Sequence, residues 1–310
     1  NEAPLIFNRI AVRMRFDLEG QRIVLSQGDV SNGTVGIAGT GVFDYSTSEP
    51  RLTAGLAGTP MSASDLKRIW PVVINPEVRE WVLTRVDAGM LQRAEIAINA
   101  PTHTLARGGP PIPEEGLSIN FVASNVKLRP VDGLPPVYDA GMRVRITGRT
   151  ANVSIAQAAM DTDAGRKISL NDFVFEIPDL APKPMQTRTR FRVDAPIPAV
   201  AEILSSDRWN EFSGVPIDPN TSKGNVAAQV TLAMPLKQEL TKKDTSYTVT
   251  ADLSNFSADK LVMNQKFEGN NLKVVANNQG YQIRGEVRIN GQSAALDYRK
   301  PMGDGDGDIR

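Results

Sequence analysis

The feature that most constrains this chain is a pattern running nearly end to end: short segments in which every second residue is apolar, broken by Gly, Asn, Asp and Pro. Ile10, Val12, Met14, Phe16 and Leu18 alternate with Ala11, Arg13, Arg15 and Asp17. The period returns at Ile96 and Ile98, at Leu117, Ile119 and Phe121, at Val144 and Ile146, at Phe191 and Val193, at Val226, Val230 and Leu232, and at Tyr281, Ile283, Val287 and Ile289. A period of two means strands with one apolar face and one polar face. So much one-sided sheet must turn its apolar face toward something, and that something is the functional question.

About sixteen strand candidates can be marked. Beyond those above, the clearest are Val35 to Phe43, Arg143 to Thr147, Ala151 to Ile155, Ile168 to Leu170, Phe173 to Ile177, Thr187 to Val193, Asn225 to Met234, Tyr247 to Leu253 and Ala294 to Tyr298. Turn signals such as Ser31-Asn32-Gly33, Asp163-Ala164-Gly165 and Asn290-Gly291 keep most connections short. Short connections require antiparallel neighbours, because parallel ones need a crossover of about a dozen residues.

Three helices interrupt the strands. Ser64 is placed to cap Asp65 to Trp70, ending at Pro71, and Asn75-Pro76-Glu77 starts a helix to about Val86, with Gly89 just beyond its end. The third spans Pro198 to Leu204, with Val200, Ile203 and Leu204 as its apolar stripe. Trp70 and Trp81 read as packing anchors in the first two. Thr59-Pro60-Met61 followed by Ala63 resembles Ala195-Pro196-Ile197 followed by Ala199, each after a strand and before a helix. That echo suggests internal sub-repeats, 1–150 and 151–310, within a single elongated segment.

Chemistry is sparse. Lys plus Arg equals Asp plus Glu at 35 each, and the zero net charge argues against a nucleic-acid partner. Cys is absent and His103 is the single histidine, in a Pro-bounded stretch that reads as a surface loop. No cofactor or His-rich metal site is expected, and no catalytic residue is assigned. Glu114 with Glu115 and Asp161 with Asp163 are read as lying in solvated polar turns, which do not suit a general acid. Gly303 to Arg310 alternates Gly with Asp304, Asp306 and Asp308. Such spacing suits calcium, while a solvated turn is the plainer reading. Aromatics are only 6% of the chain, which leaves Trp70, Trp81 and Trp209 as its tryptophans and no platform for stacking bases or sugars. The apolar faces are Ile, Val, Leu, Met and Ala, suited to a core or to a flexible hydrocarbon.

Leu66-Lys67-Arg68-Ile69-Trp70-Pro71, Arg79-Glu80-Trp81-Val82 and Asp87-Ala88-Gly89 resemble motif elements of the AsmA-like family of Gram-negative envelope proteins, nearest its YhdP-type branch and related to TamB. Leu134-Pro135-Pro136-Val137, Asn152-Val153-Ser154-Ile155, Lys167-Ile168-Ser169-Leu170 and Ile177-Pro178-Asp179-Leu180 extend the likeness from about Leu52 to Tyr298. The resemblance implies a mainly β fold: a long twisted antiparallel sheet curled into an open apolar groove, with a few short helices. It also implies a periplasmic segment of an inner-membrane-anchored, bridge-like lipid-transfer protein. Such a segment would carry phospholipid acyl chains between inner and outer membranes and support outer-membrane homeostasis. The first residue is Asn and no apolar run approaches the roughly 18 residues of a spanning helix, so the chain is read as an excerpt of a longer protein, with both membranes met by parts outside it.

On this reading the groove is lined by Ile10, Val12, Met14, Phe16, Ile96, Ile98, Leu117, Ile119, Phe121, Val144, Ile146, Phe191, Val193, Val226, Val230 and Leu232. The competing reading is a structural adaptor, a β-solenoid or sandwich segment that closes on its own side chains and docks envelope assembly proteins.

Overall fold

The computed structural model describes residues 6–70, 75–106, 108–206, 217–237, 241, 244–262, 265–301 and 308–309. Trp209, Pro71 and most of the Gly303–Arg310 run lie outside them. The fold is mainly β, a long antiparallel sheet with four short helices among the described residues. The chain packs as two compact units: Asn1–Leu128 with Asp139–Ser154 and Glu176–Gln186, and Arg129–Tyr138 with Ile155–Phe175 and Thr187–Arg310.

In the first unit β1 (Arg9–Asp17), β2 (Arg22–Ser31), β3 (Gly36–Asp44) and β4 (Arg51–Gly58) form a meander. After β4 the chain makes the two-residue β5 (Met61–Ser62), α1 (Ala63–Ile69) and α2 (Pro76–Arg85). It returns as β6 (Val86–Pro101) beside β4 and, after the one-turn α3 (Thr102–Leu105), as β7 (Leu117–Leu128) beside β6. The hairpin residues explain the tight returns. Asn32 Oδ1 accepts from the amides of Thr34 and Val35 at 3.1 and 2.8 Å, closing the β2–β3 turn.

Next come β8 (Val137–Thr147), β9 (Ala151–Asp161), β10 (Lys167–Ile177) and β11 (Gln186–Pro196), then α4 (Ile197–Ser205). A second meander follows: β12 (Lys223–Pro235), β13 (Ser246–Val262), β14 (Gln265–Asn277), β15 (Gly280–Ile289), β16 (Gln292–Pro301) and the two-residue β17 (Asp308–Ile309). Asn290 and Gly291 both take positive φ, 49° and 85°, the pair that a two-residue hairpin turn requires.

Several boundaries differ from the sequence expectation for one reason: left-handed residues sit inside strands as well as at their ends. Asp172 has φ 51° in the middle of β10, so the two strands expected at Ile168 to Leu170 and Phe173 to Ile177 are one. Gly89 is not a helix terminator. It lies within β6 at φ 149°, and a Cβ there would sit 3.2 Å from the Val126 backbone. Asn125, Asp139, Gly224 and Asn255 take positive φ within or beside strands in the same way. Bulges of this kind bend a strand and add local twist.

The first helix cap also moves. Ser62 rather than Ser64 is the N-cap, accepting from the Asp65 amide at 3.1 Å while donating to its carboxylate at 2.7 Å, because Ser62-x-x-Asp65 has the spacing of a reciprocal cap. Asn75 caps α2 as expected. Trp81 is not a buried anchor: it and Val78 stand nearly half exposed, and α2 buries none of its residues fully. Contacts to its far end hold it instead, with Lys67 Nζ donating to the Leu83 carbonyl at 3.2 Å.

Candidate apolar binding face

Strand register shows which side chains share a face. Across the first unit, Phe16 pairs with Ile23, Ile23 with Phe43, and Phe43 with Leu52. The next row runs Met14, Leu25, Gly41, Ala54, Ile98, Leu117, and the one after it Val12, Gly28, Gly39, Leu56, Ile96, Ile119. A fourth is Ile10, Val30, Ile37, Gly58, Ala94, Phe121. Nine residues expected to line one surface therefore do share one, continuous over six strands. The reverse face is mixed: Asp17, Arg22, Asp44 and Arg51 form a row of alternating charge, with Arg22 Nε 2.9 Å from Asp44, and the next row pairs Val24 with Val42 and Val42 with Thr53.

Little covers this apolar face. Leu66 and Ile69 of α1 pack with Val35, Met61 and Leu91, and that cluster reaches Ala94, Phe121 and Ala123. Toward β1 the cover ends: Ile10 is 67% exposed, Val12 61% and Phe16 64%. Met14 and, on β4, Leu56 are exposed as well, while the members of these rows on β2, β3, β6 and β7 are half-buried. Contiguous exposed apolar side chains are the mark of a surface that meets an apolar partner or ligand.

The second unit repeats the arrangement with more cover. Its rows run Val226, Leu253, Leu272, Gly285, Leu296; then Ala228, Ala251, Val274, Ile283, Tyr298; then Val230, Val249, Ala276, Tyr281, Lys300. Leu232 stands opposite Tyr247 in a fourth. The first row belongs to a true core, in which Ile197 and Ala199 of α4 join Met160, Ile168, Val226, Phe256 and Leu272, with Val200 and Ile203 against it. Away from the helix the rows are only half-buried. Burial pushes the Tyr281 hydroxyl up to about 12, with Tyr298, whose ring centroid lies 5.9 Å away, adding to the rise.

Glu202 ties α4 to the turn between β9 and β10. It accepts from Thr162 Oγ1 at 2.7 Å, from the Ala164 amide at 2.8 Å and from the Arg166 guanidinium at 2.6 Å. Partial burial alone would raise its pKa, but these three donors outweigh that and hold it below the ordinary glutamate value. A cavity of about 750 Å³ in this unit is lined by Lys167, Asp194, Asn225, Asp252, Asn271 and Lys273 together with Ala195, Pro196, Val226, Leu253 and Leu272. No group of three or more His, Asp or Glu placed to hold a metal occurs among the described residues.

No family model, curated protein or solved structure matches the chain.

Of the remaining expected residues, Val144 and Ile146 are half-buried on β8 between exposed Arg143 and Arg145. Phe191 lies 6.1 Å from Phe173 of β10, ring centroid to centroid, with the two rings tilted at 35°, and Val193 packs against the core that contains Val226. Sequence reasoning missed the β2 contribution. The period breaks there because Ser26 is extra opposite the Arg13/Met14 step, so Ile23 and Leu25 lie on odd positions and Gly28 and Val30 on even ones. It also missed the glycines of the face. Gly39 lets the Leu56 side chain lie down upon it, where a Cβ would meet Leu56 Cδ2 at 2.4 Å. His103 is exposed on α3.

Proposed function

We propose that this chain is a lipid-conduit segment, holding phospholipid acyl chains against the apolar faces of its sheet and leaving headgroups at the polar margin. The observation that supports it most is the six-strand apolar face of the first unit, unbroken from β1 to β7 and little covered by protein. Transfer is passive on this reading. Each acyl CH₂ that leaves water for the face gains roughly 0.8 kcal/mol, and Ile, Val, Leu and Ala rows grip a hydrocarbon without directional bonds that would arrest it. No catalytic group is needed. The resemblance to AsmA-like proteins supplies the proposed setting: the periplasm, as part of an inner-membrane-anchored protein that reaches the outer membrane through other segments.

The test compares bound phospholipid per chain after purification, measured by mass spectrometry with circular dichroism as folding control. Ile119→Asp and Val230→Asp put a charge on the two faces, where an acyl chain cannot solvate it, and should strip lipid from folded protein. Arg13→Asp on the reverse face should leave occupancy unchanged. Equal occupancy in all variants, or none in any, sinks the proposal and favours the adaptor reading, in which a protein partner covers the face.

A further inference from the structure

We propose that α4 is a latched plug at one end of the second unit's apolar face, and that Glu202 is the latch. The inference rests on the conduit reading and adds its regulation. Three observations converge on it. Ile197, Ala199, Val200 and Ile203 pack into the core at Val226, the β12 end of the row that runs on through Leu253, Leu272 and Leu296, so a ligand laid along that row would compete with the helix at this end. The helix is held there by few polar ties of its own: Pro196 stands at its N-cap with no side-chain cap bond, and Pro198 lies in its first turn. Glu202 then gathers Thr162, Ala164 and Arg166 from one turn onto one carboxylate, the cross-tie that fixes the helix to the β9–β10 hairpin. A charged group with three donors is a strong tie to a weakly capped helix, and losing one member leaves the others short of a partner.

α4 therefore closes the row while Glu202 is engaged and opens it when the tie is released. Leu253 and Leu296 farther along the same row, and the rows of Ala228 and Val230, are only half-buried, which makes Val226 beside the helix the step an entering chain must win.

The experiment uses the whole chain and two readouts. Hydrogen exchange follows α4 and β12–β15 separately in wild type, Glu202→Ala, Glu202→Gln and Arg166→Met. Stopped-flow fluorescence follows binding and release of dansylated undecanoic acid by the same four proteins. Glu202→Ala should speed exchange in α4 by about tenfold, equivalent to about 1.4 kcal/mol of local stability, while β12–β15 stay protected. Glu202→Gln, which keeps the acceptor oxygen and loses the charge, and Arg166→Met should fall between. Probe entry and exit should accelerate in the same order. Unchanged α4 exchange overturns the latch, as does exchange rising equally in α4 and β12–β15, since the helix would then be part of the core and no plug. Faster α4 exchange with unchanged probe rates overturns the plug and leaves the conduit reading standing. No probe binding in any protein overturns both.

Discussion

The apolar face of β1–β7 and the apolar face of β12–β16 are written in the same two-residue period, yet they end in different physical states. On the first, Ile10, Val12 and Phe16 stand in solvent; on the second, Leu272 is 2% exposed and Val287 3%. What separates them is cover. Leu272 and Val287 belong to a core cluster with Phe256, Phe267, Ile168 and, at its β12 end, Ile197 and Ala199 of α4, whereas α1 brings only Leu66 and Ile69 to a corner of the other face. Alternation thus decides which residues share a face. Whether that face becomes core depends on an element elsewhere in the chain.

This contrast is broken or upheld most sharply by truncating matched residues. Leu272→Ala should cost about 2–5 kcal/mol in urea unfolding, because a filled core site is left with a cavity. Ile10→Ala on β1 should stay within about 0.5 kcal/mol. Similar losses at both would mean that the β1 face is covered in solution. Next in size is the glycine bulge at the start of β12. At Gly224, φ is 107° and an added Cβ would lie 2.6 Å from the Ser254 and Asn255 carbonyl oxygens, so Gly224→Ala should destabilise by about 1–3 kcal/mol. Gly55→Ala meets nothing within 4 Å and should hold or raise the melting temperature.

The same residues mark how far sequence could be read. The antiparallel meander and the membership of Ile96, Ile98, Leu117, Ile119 and Phe121 in one face were legible, because period and short turns are local properties. The helix following Pro60-Met61 and the one following Pro196-Ile197 were legible too, and both Met61 and Ile197 prove to be buried at the strand-to-helix corner. Bulges were not. Asp172, Asn125 and Asn255 look like turn residues in sequence but take left-handed φ without ending their strands, which only cross-strand pairing reveals. Nor could the cover be read: nothing in the sequence of α2 says that Trp81 stands half exposed, since that depends on what packs against it.

A smaller effect follows from the Glu202 tie. Its folded pKa is depressed, so the stability it contributes is complete above the ordinary glutamate value of about 4.3 and is lost as pH falls through the lower folded value. Glu202→Gln should melt below wild type at pH 7 by the equivalent of about 1 kcal/mol, and the gap should close as acid protonates the wild-type carboxylate. A gap that persists unchanged in acid would assign the loss to packing rather than charge. In the first unit Arg22→Gln, at an exposed pair, should shift the melting temperature far less.

The smallest expected effect carries the comparison back to β1. Val12 is 61% exposed and projects from the row that continues through Gly28, Gly39 and Leu56. Val12→Ser removes apolar surface that the fold does not bury, so stability should change by less than about 0.5 kcal/mol. The fluorescence of a surface-binding dye such as anilinonaphthalene sulfonate should nonetheless fall, because the dye reads accessible apolar area directly. The equivalent change at Val226→Ser should do the reverse, lowering stability through loss of buried apolar contact and raising dye fluorescence as α4 loosens. If both substitutions act alike on both readouts, the two faces are equally covered, and the difference in exposure between them has no consequence for what each can bind.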